Sequence, residues 1–227
     1  MSEPQTDDRV ASTLEELAQL EDPKARAINE RHGNDYGVNL TKLRAVAKAL
    51  KRDPELARQL WATDDTAARL VALLICKPKE FTADELDTML REARTPKVHD
   101  WLIGYVVTKG PHMEALRERW MRDTDPVVAS AGWALTAHRI AKGTDDGLDH
   151  DALLSTIESQ MSTAHDRLQW EMNTTLAQIG IAHPQFRDRA LAIGERLEVL
   201  KDYPTAPGCT SPFAPIWISE MVKRAEA

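Results

Sequence analysis

Apolar residues recur at intervals of three and four along most of the chain, as in Leu43, Val46, Ala47 and Leu50, or Leu168, Met172, Leu176 and Ile179. That spacing lines up one face of a 3.6-residue helix. No segment between turn residues alternates as a half-buried strand does. Asp22-Pro23, Asp53-Pro54, Thr95-Pro96 and Asp125-Pro126 each set a capping side chain before a proline. The ring's fixed φ and missing N–H suit the first helical position. Thr82-Ala83-Asp84-Glu85 has capping-box spacing. Gly33, Gly110, Gly143 and Gly180 read as helix stops. These marks divide the chain into roughly 12 helices, a pair about every 38 residues, which is the period of HEAT and armadillo-type repeats. The expected fold is all-α: a HEAT-like helical-repeat solenoid, an alpha-alpha superhelix of about six helix pairs. An all-α bundle is the alternative.

Composition agrees. Hydrophobic residues make up 42% of the 227 positions and aromatics only 5%, which supports a sizeable helical core. No linker divides residues 11–227, so they are expected to form a single HEAT-like-repeat domain, with residues 1–10 an acidic, disordered N-terminus. No stretch approaches the roughly 18 uncharged apolar residues of a membrane span, and the start is polar and acidic; a cytoplasmic protein is expected. Cys76 and Cys209 lack the spacing of a zinc or redox pair and are expected to be buried free thiols, a disulfide being the alternative.

The formal net charge of −7 is concentrated at the start. Residues 1–22 carry seven acids against Arg9, whereas the other 205 residues carry 29 acids and 28 bases. A near-neutral body can still present one basic face, so charge permits a nucleic-acid partner without indicating one. The seven histidines are scattered with no helical His-x-x-x-His and no carboxylate at ligand spacing, so no metal site is expected. Gly-rich phosphate loops are absent and no cofactor is expected.

The last third is the most specific text. It runs Trp170-Glu171-Met172-Asn173, Ile179-Gly180, Ile193-Gly194, Gly208-Cys209-Thr210-Ser211-Pro212-Phe213-Ala214 and then Ile218. This series resembles one branch of the bacterial DNA alkylation repair family, the HEAT-like-repeat proteins that include alkylpurine DNA glycosylases. From the residues themselves, Pro204, Pro207, Pro212 and Pro215 with Gly208 predict a non-helical crossing before the last helix, plugged by Cys209. A reactive thiol activated by Lys201 is the other reading of Cys209.

The resemblance implies a protein that binds duplex DNA in a concave groove and excises cationic alkylpurines by N-glycosidic bond cleavage. Its carboxylate would stabilise positive charge developing on the deoxyribose. Helix order puts that carboxylate at Asp100. Val98, Trp101, Leu102 and Tyr105 form the apolar stripe of its helix, while Lys97, Asp100, Gly104 and Thr108 share another face. A surface aspartate paired with Lys97 is the plainer reading. Two departures stand out: Pro96 and Thr174 occupy the positions of family pocket aromatics, and Val128-Ala129-Ser130 replaces a family arginine. Trp170, on a polar face with Arg167 and Asn173, either stacks on deoxyribose or packs against the neighbouring repeat. Arg139 and Lys142 are candidate phosphate contacts. The functional expectation is a DNA glycosylase acting on alkylated duplex DNA, catalytic residue Asp100, nucleic-acid contacts Lys97, Arg139, Lys142, Arg167, Trp170 and Asn173. A non-catalytic DNA-binding relative and a protein-binding helical scaffold are the alternatives.

Overall fold

The computed structural model describes residues 4–226, and residues 1–3 of the acidic start lie outside it. The described residues are helical throughout apart from turns. Their only β pairing is one isolated antiparallel bridge, Glu21 to Val38. The chain separates into two compact units, one ending at Met113 and one beginning at Glu114.

The first unit contains α1 (Pro4–Gln19), α2 (Pro23–Glu30), α3 (Leu40–Leu50), α4 (Pro54–Ala62), α5 (Thr66–Ile75), α6 (Ala83–Glu92) and α7 (Pro96–Trp101). From Pro4 onward, helix α1 occupies the stretch expected to be disordered. Its anchors explain why: Leu17 and Thr13 are buried, and Arg9 pairs with Asp53 at 2.7 Å. At the centre lies α5, buried nearly all round through Ala68, Leu70, Val71, Leu73 and Ile75, and packed by α3, α4 and α7. A helix apolar on every side has no stable place except a core.

Local capping sets most of these boundaries. Asp22, Asp53 and Asp65 each accept backbone N–H groups of the helix they precede, and Thr82 and Glu85 complete the capping box. Thr95 departs from expectation: its hydroxyl is buried and makes no cap. The buried Asn34 instead accepts the Lys97 N–H at 2.8 Å, from a turn that Gly33 enters at φ +74°.

The second unit holds α8 (Met113–Met121) apart from its first residue, then α9 (Pro126–Ala141), α10 (His150–Gln160), α11 (Asp166–Ala182), α12 (Pro184–Leu197) and α13 (Ala214–Glu226). Here α11 is the hub, packed by α9, α10, α12 and α13. Its core joins Trp133, Leu154, Ile157, Leu176, Ile193 and Ile218. Gly180 does not end a helix; it lies inside α11, where a Cβ would stand 2.6 Å from Ile218 Cδ1. Close approach of α13, not a left-handed turn, is the reason for glycine there. Gly132 in α9 serves the same purpose against Met121 at the end of α8.

The crossing between α12 and α13 is non-helical, as the prolines require. Its plug is Phe213, 4% exposed, with Ala214 behind it. Cys209, expected to fill that role, is exposed, as are residues 201–208 before it. Lys201 is committed to Glu198 at 2.5 Å. Cys76 is buried as expected, and burial pushes its thiol up to about 11, which keeps it protonated and unreactive.

Candidate nucleic-acid interface

Asp100 lies one residue before the end of α7, its side chain 53% exposed. The helix does not continue in α-form. Leu102–Val106 is a π turn and Val107–Lys109 a 3-10 turn, so the chain is first widened and then tightened within eight residues. Isolated π turns inside helical runs are uncommon and concentrate at functional sites. Of the stripe, Val98, Trp101 and Leu102 are buried and Tyr105 is half-buried, while Gly104 is exposed. Around Gly104 there is open space, with nothing within 4 Å of where a Cβ would project.

Beside Asp100 is a cationic and aromatic corner that the sequence did not reveal. Trp101 meets Tyr105 edge-on with centroids 5.1 Å apart. The Arg44 guanidinium, from α3, lies 5.5 Å over the Trp101 ring and reaches the Tyr105 hydroxyl, and Lys109 Nζ lies 5.1 Å from the Tyr105 centroid. Both cations are exposed at the surface. Helix α3 carries Lys42, Arg44 and Lys48 with no acid. Asp100 itself is 3.8 Å from Nδ1 of the buried His99.

Lys97 is half-buried on α7, and the other sequence candidates are spread over the end of α9 and over α11 of the second unit. Lys142 is exposed at the end of α9. Arg139 is occupied: it pairs with Glu114 at 2.9 Å and donates to the Thr144 and Asp146 carbonyls. Its side chain is only 14% exposed, so it organises the turn after α9 before it can offer charge to a phosphate. Arg167 and Trp170 are half-buried on α11, and Trp170 packs edge-on against Tyr203 at 5.1 Å. Asn173 requires a correction. It is 1% exposed and donates to the Pro212 carbonyl at 2.8 Å, fastening the crossing to α11 and leaving no surface for DNA.

One cluster in the second unit joins residues far apart in sequence: Asp145, His150 and His183 converge to within 4.8 Å. In the first unit, α4, α5 and α6 enclose an apolar pocket of about 450 Å³ lined by Trp61, Leu73, Cys76, Phe81 and Met89.

The architecture is that of the HEAT-like helical repeats. A solved structure described as "a new family of proteins related to the HEAT-like repeat DNA glycosylases with affinity for branched DNA structures" matches with a TM-score of 0.77 at 20% identity, covering 95% of this chain and 94% of that one. At that identity the likeness speaks for the fold. No curated protein sequence gives a significant match. Residues 13–218 match the family model described as DNA alkylation repair enzyme, and the chain belongs to that family. Among the described residues no helix is long and apolar enough to cross a membrane.

Proposed function

We propose that the protein binds DNA at the Asp100 corner and excises cationic alkylpurines, Asp100 stabilising the sugar cation as the N-glycosidic bond breaks. Family membership supports a role in alkylation repair. The observation that carries the assignment is the half-exposed Asp100 carboxylate on the helical run that leads to the open space at Gly104, with Arg44 and Lys109 held against the rings of the neighbouring Trp101 and Tyr105. A cationic base already weakens its own bond, so the enzyme's task reduces to placing negative charge by the sugar and positive charge by the phosphates. Lys97, Lys142, Arg167 and Trp170 are further contact candidates, and Arg139 acts by shaping its turn.

The test is excision of a methylated purine from duplex DNA. Asp100→Asn keeps shape and removes charge; loss of one preorganised electrostatic partner costs about 2.7–4 kcal/mol, or roughly 100- to 1,000-fold in rate. An Asp100→Asn protein as fast as the wild type overturns the assignment.

Binding without excision is the second reading. It is favoured by Pro96, which cannot stack where family members carry an aromatic, and by the branched-DNA affinity ascribed to the structural relative. A wild type that excises nothing, yet binds a four-way junction more tightly than linear duplex, selects this reading.

A further inference from the structure

We propose that Asp145, His150 and His183 form a binding site for a divalent transition-metal ion, Zn2+ in the first instance. Three separate pieces of backbone supply the donors. Asp145 lies in the turn after α9, His150 is the first residue of α10, and His183 occupies the junction between α11 and α12. His150 Nε2 and His183 Nε2 both point at one oxygen, Asp145 Oδ2, at 2.7 and 2.6 Å. The imidazole rings are 4.2 Å apart, and Phe186 packs on His150 at 5.5 Å.

Two imidazoles and one carboxylate are a donor set that suits zinc and its neighbours, and they leave a fourth position for water. With metal–ligand bonds of about 2.0–2.2 Å, tetrahedral ligand atoms stand about 3.4 Å apart. An ion would therefore part the present pairs by about 0.7 Å, within reach of side-chain rotation. Coordination requires each imidazole to present its Nε2 lone pair: a neutral ring then carries its one proton on Nδ1, and a doubly protonated ring releases its Nε2 proton to solvent. The ion replaces the two hydrogen bonds to Asp145.

Burial and access fit this use. The side chains of Asp145, His150 and His183 are 9, 12 and 22% exposed, which shields the donors but leaves an entry edge. The turn that carries Asp145 is preformed. Gly143 and Gly147 bracket it at φ +63° and +82°, and Arg139 holds the carbonyls of Thr144 and Asp146 on either side of the ligand.

The experiment is Zn2+ titration of the full chain against a chromophoric chelator, with thermal unfolding in Zn2+ and in EDTA. One ion per chain is expected, with a higher Tm in Zn2+; at a free concentration of 100 Kd the folded-to-unfolded ratio rises roughly 100-fold. His150→Gln and His183→Gln should each weaken binding by at least the roughly 10- to 100-fold that outer-shell partners are worth. Co2+ substitution in the wild type, which does not depend on any variant folding, should give the intense visible bands of a four-coordinate ion. Wild-type affinity equal to that of the His150→Gln, His183→Gln double variant, or Co2+ bands no stronger than those of the hydrated ion, overturns the site.

Discussion

Replacing Gly132 by alanine tests the helix packing of the second unit most directly. A Cβ built there stands 2.4 Å from the Met121 backbone nitrogen, 2.7 Å from its Cγ and 2.9 Å from its Cα. Two of those three atoms are main chain, so no rotamer change relieves the clash, and α8 and α9 must separate by about 1 Å to restore ordinary contact. Forcing a methyl into a packed interior costs about 1–3 kcal/mol. The alanine recovers about 1 kcal/mol of helix propensity. With backbone as the obstacle the upper part of the cost range applies, leaving a net loss of about 2 kcal/mol. Gly180→Ala supplies an internal scale. Its nearest obstacle, at 2.6 Å, is the flexible end of Ile218, and the propensity gain should offset most of the strain. Gly104→Ala meets nothing within 4 Å and should be neutral or slightly stabilising. Urea unfolding of the three variants checks the order, Gly132 worst, Gly180 intermediate, Gly104 harmless. A Gly132→Ala protein as stable as Gly104→Ala would refute the reasoning.

Asp53 accepts the Leu56 N–H and pairs with Arg9, which holds its carboxyl below its ordinary value of 3.8 despite partial burial. A depressed carboxylate contributes stability above its unfolded pKa and loses it as pH falls through the folded value. Asp53→Ala should therefore cost about 1 kcal/mol at neutral pH. That gap to the wild type should close as pH drops below about 4, as followed by denaturation across pH 2–7. Binding to DNA should be steeply salt-dependent, and removal of residues 1–7, which include Glu3 and Asp7, should tighten it at low salt in a fluorescence titration. Equal affinity with and without that segment counts against competition between the acidic start and phosphate. Arg44→Ala should weaken DNA binding and flatten its salt dependence with little loss of stability, since its guanidinium is exposed and its partners are the Trp101 ring face and the Tyr105 hydroxyl.

What the chain revealed in advance was mostly local. Asp22, Asp53, Asp125 and Thr82 cap residues two or three positions away, so their meaning is contained in short stretches of sequence. Thr95 misled because the group that caps its helix, Asn34, lies 63 residues from the Lys97 amide it accepts. Gly180 misled because glycine answers two needs, positive φ and close approach, and only the position of Ile218 distinguishes them. Asn173 shares a helical face with Trp170 on a regular wheel, but the crossing buries Asn173 at Pro212 and leaves Trp170 half-buried against Tyr203. Asp100 could be placed on an exposed face by periodicity. The Arg44 partner could not, since it arrives from another helix, and neither could the meeting of Asp145 with His183, 38 residues away.

The π turn after Asp100 has a consequence for chain length. A residue removed from an α-helix rotates everything beyond it by about 100° and scrambles the buried face. The segment Leu102–Val106 already carries a residue more than an α turn would hold, so deleting Gly104 would let it relax to ordinary winding while Val106 and Val107 kept their burial. The helix would survive this shortening, and the open space at Gly104 would be lost with it. This corner can therefore change its reach by a single codon without disturbing the core beneath it.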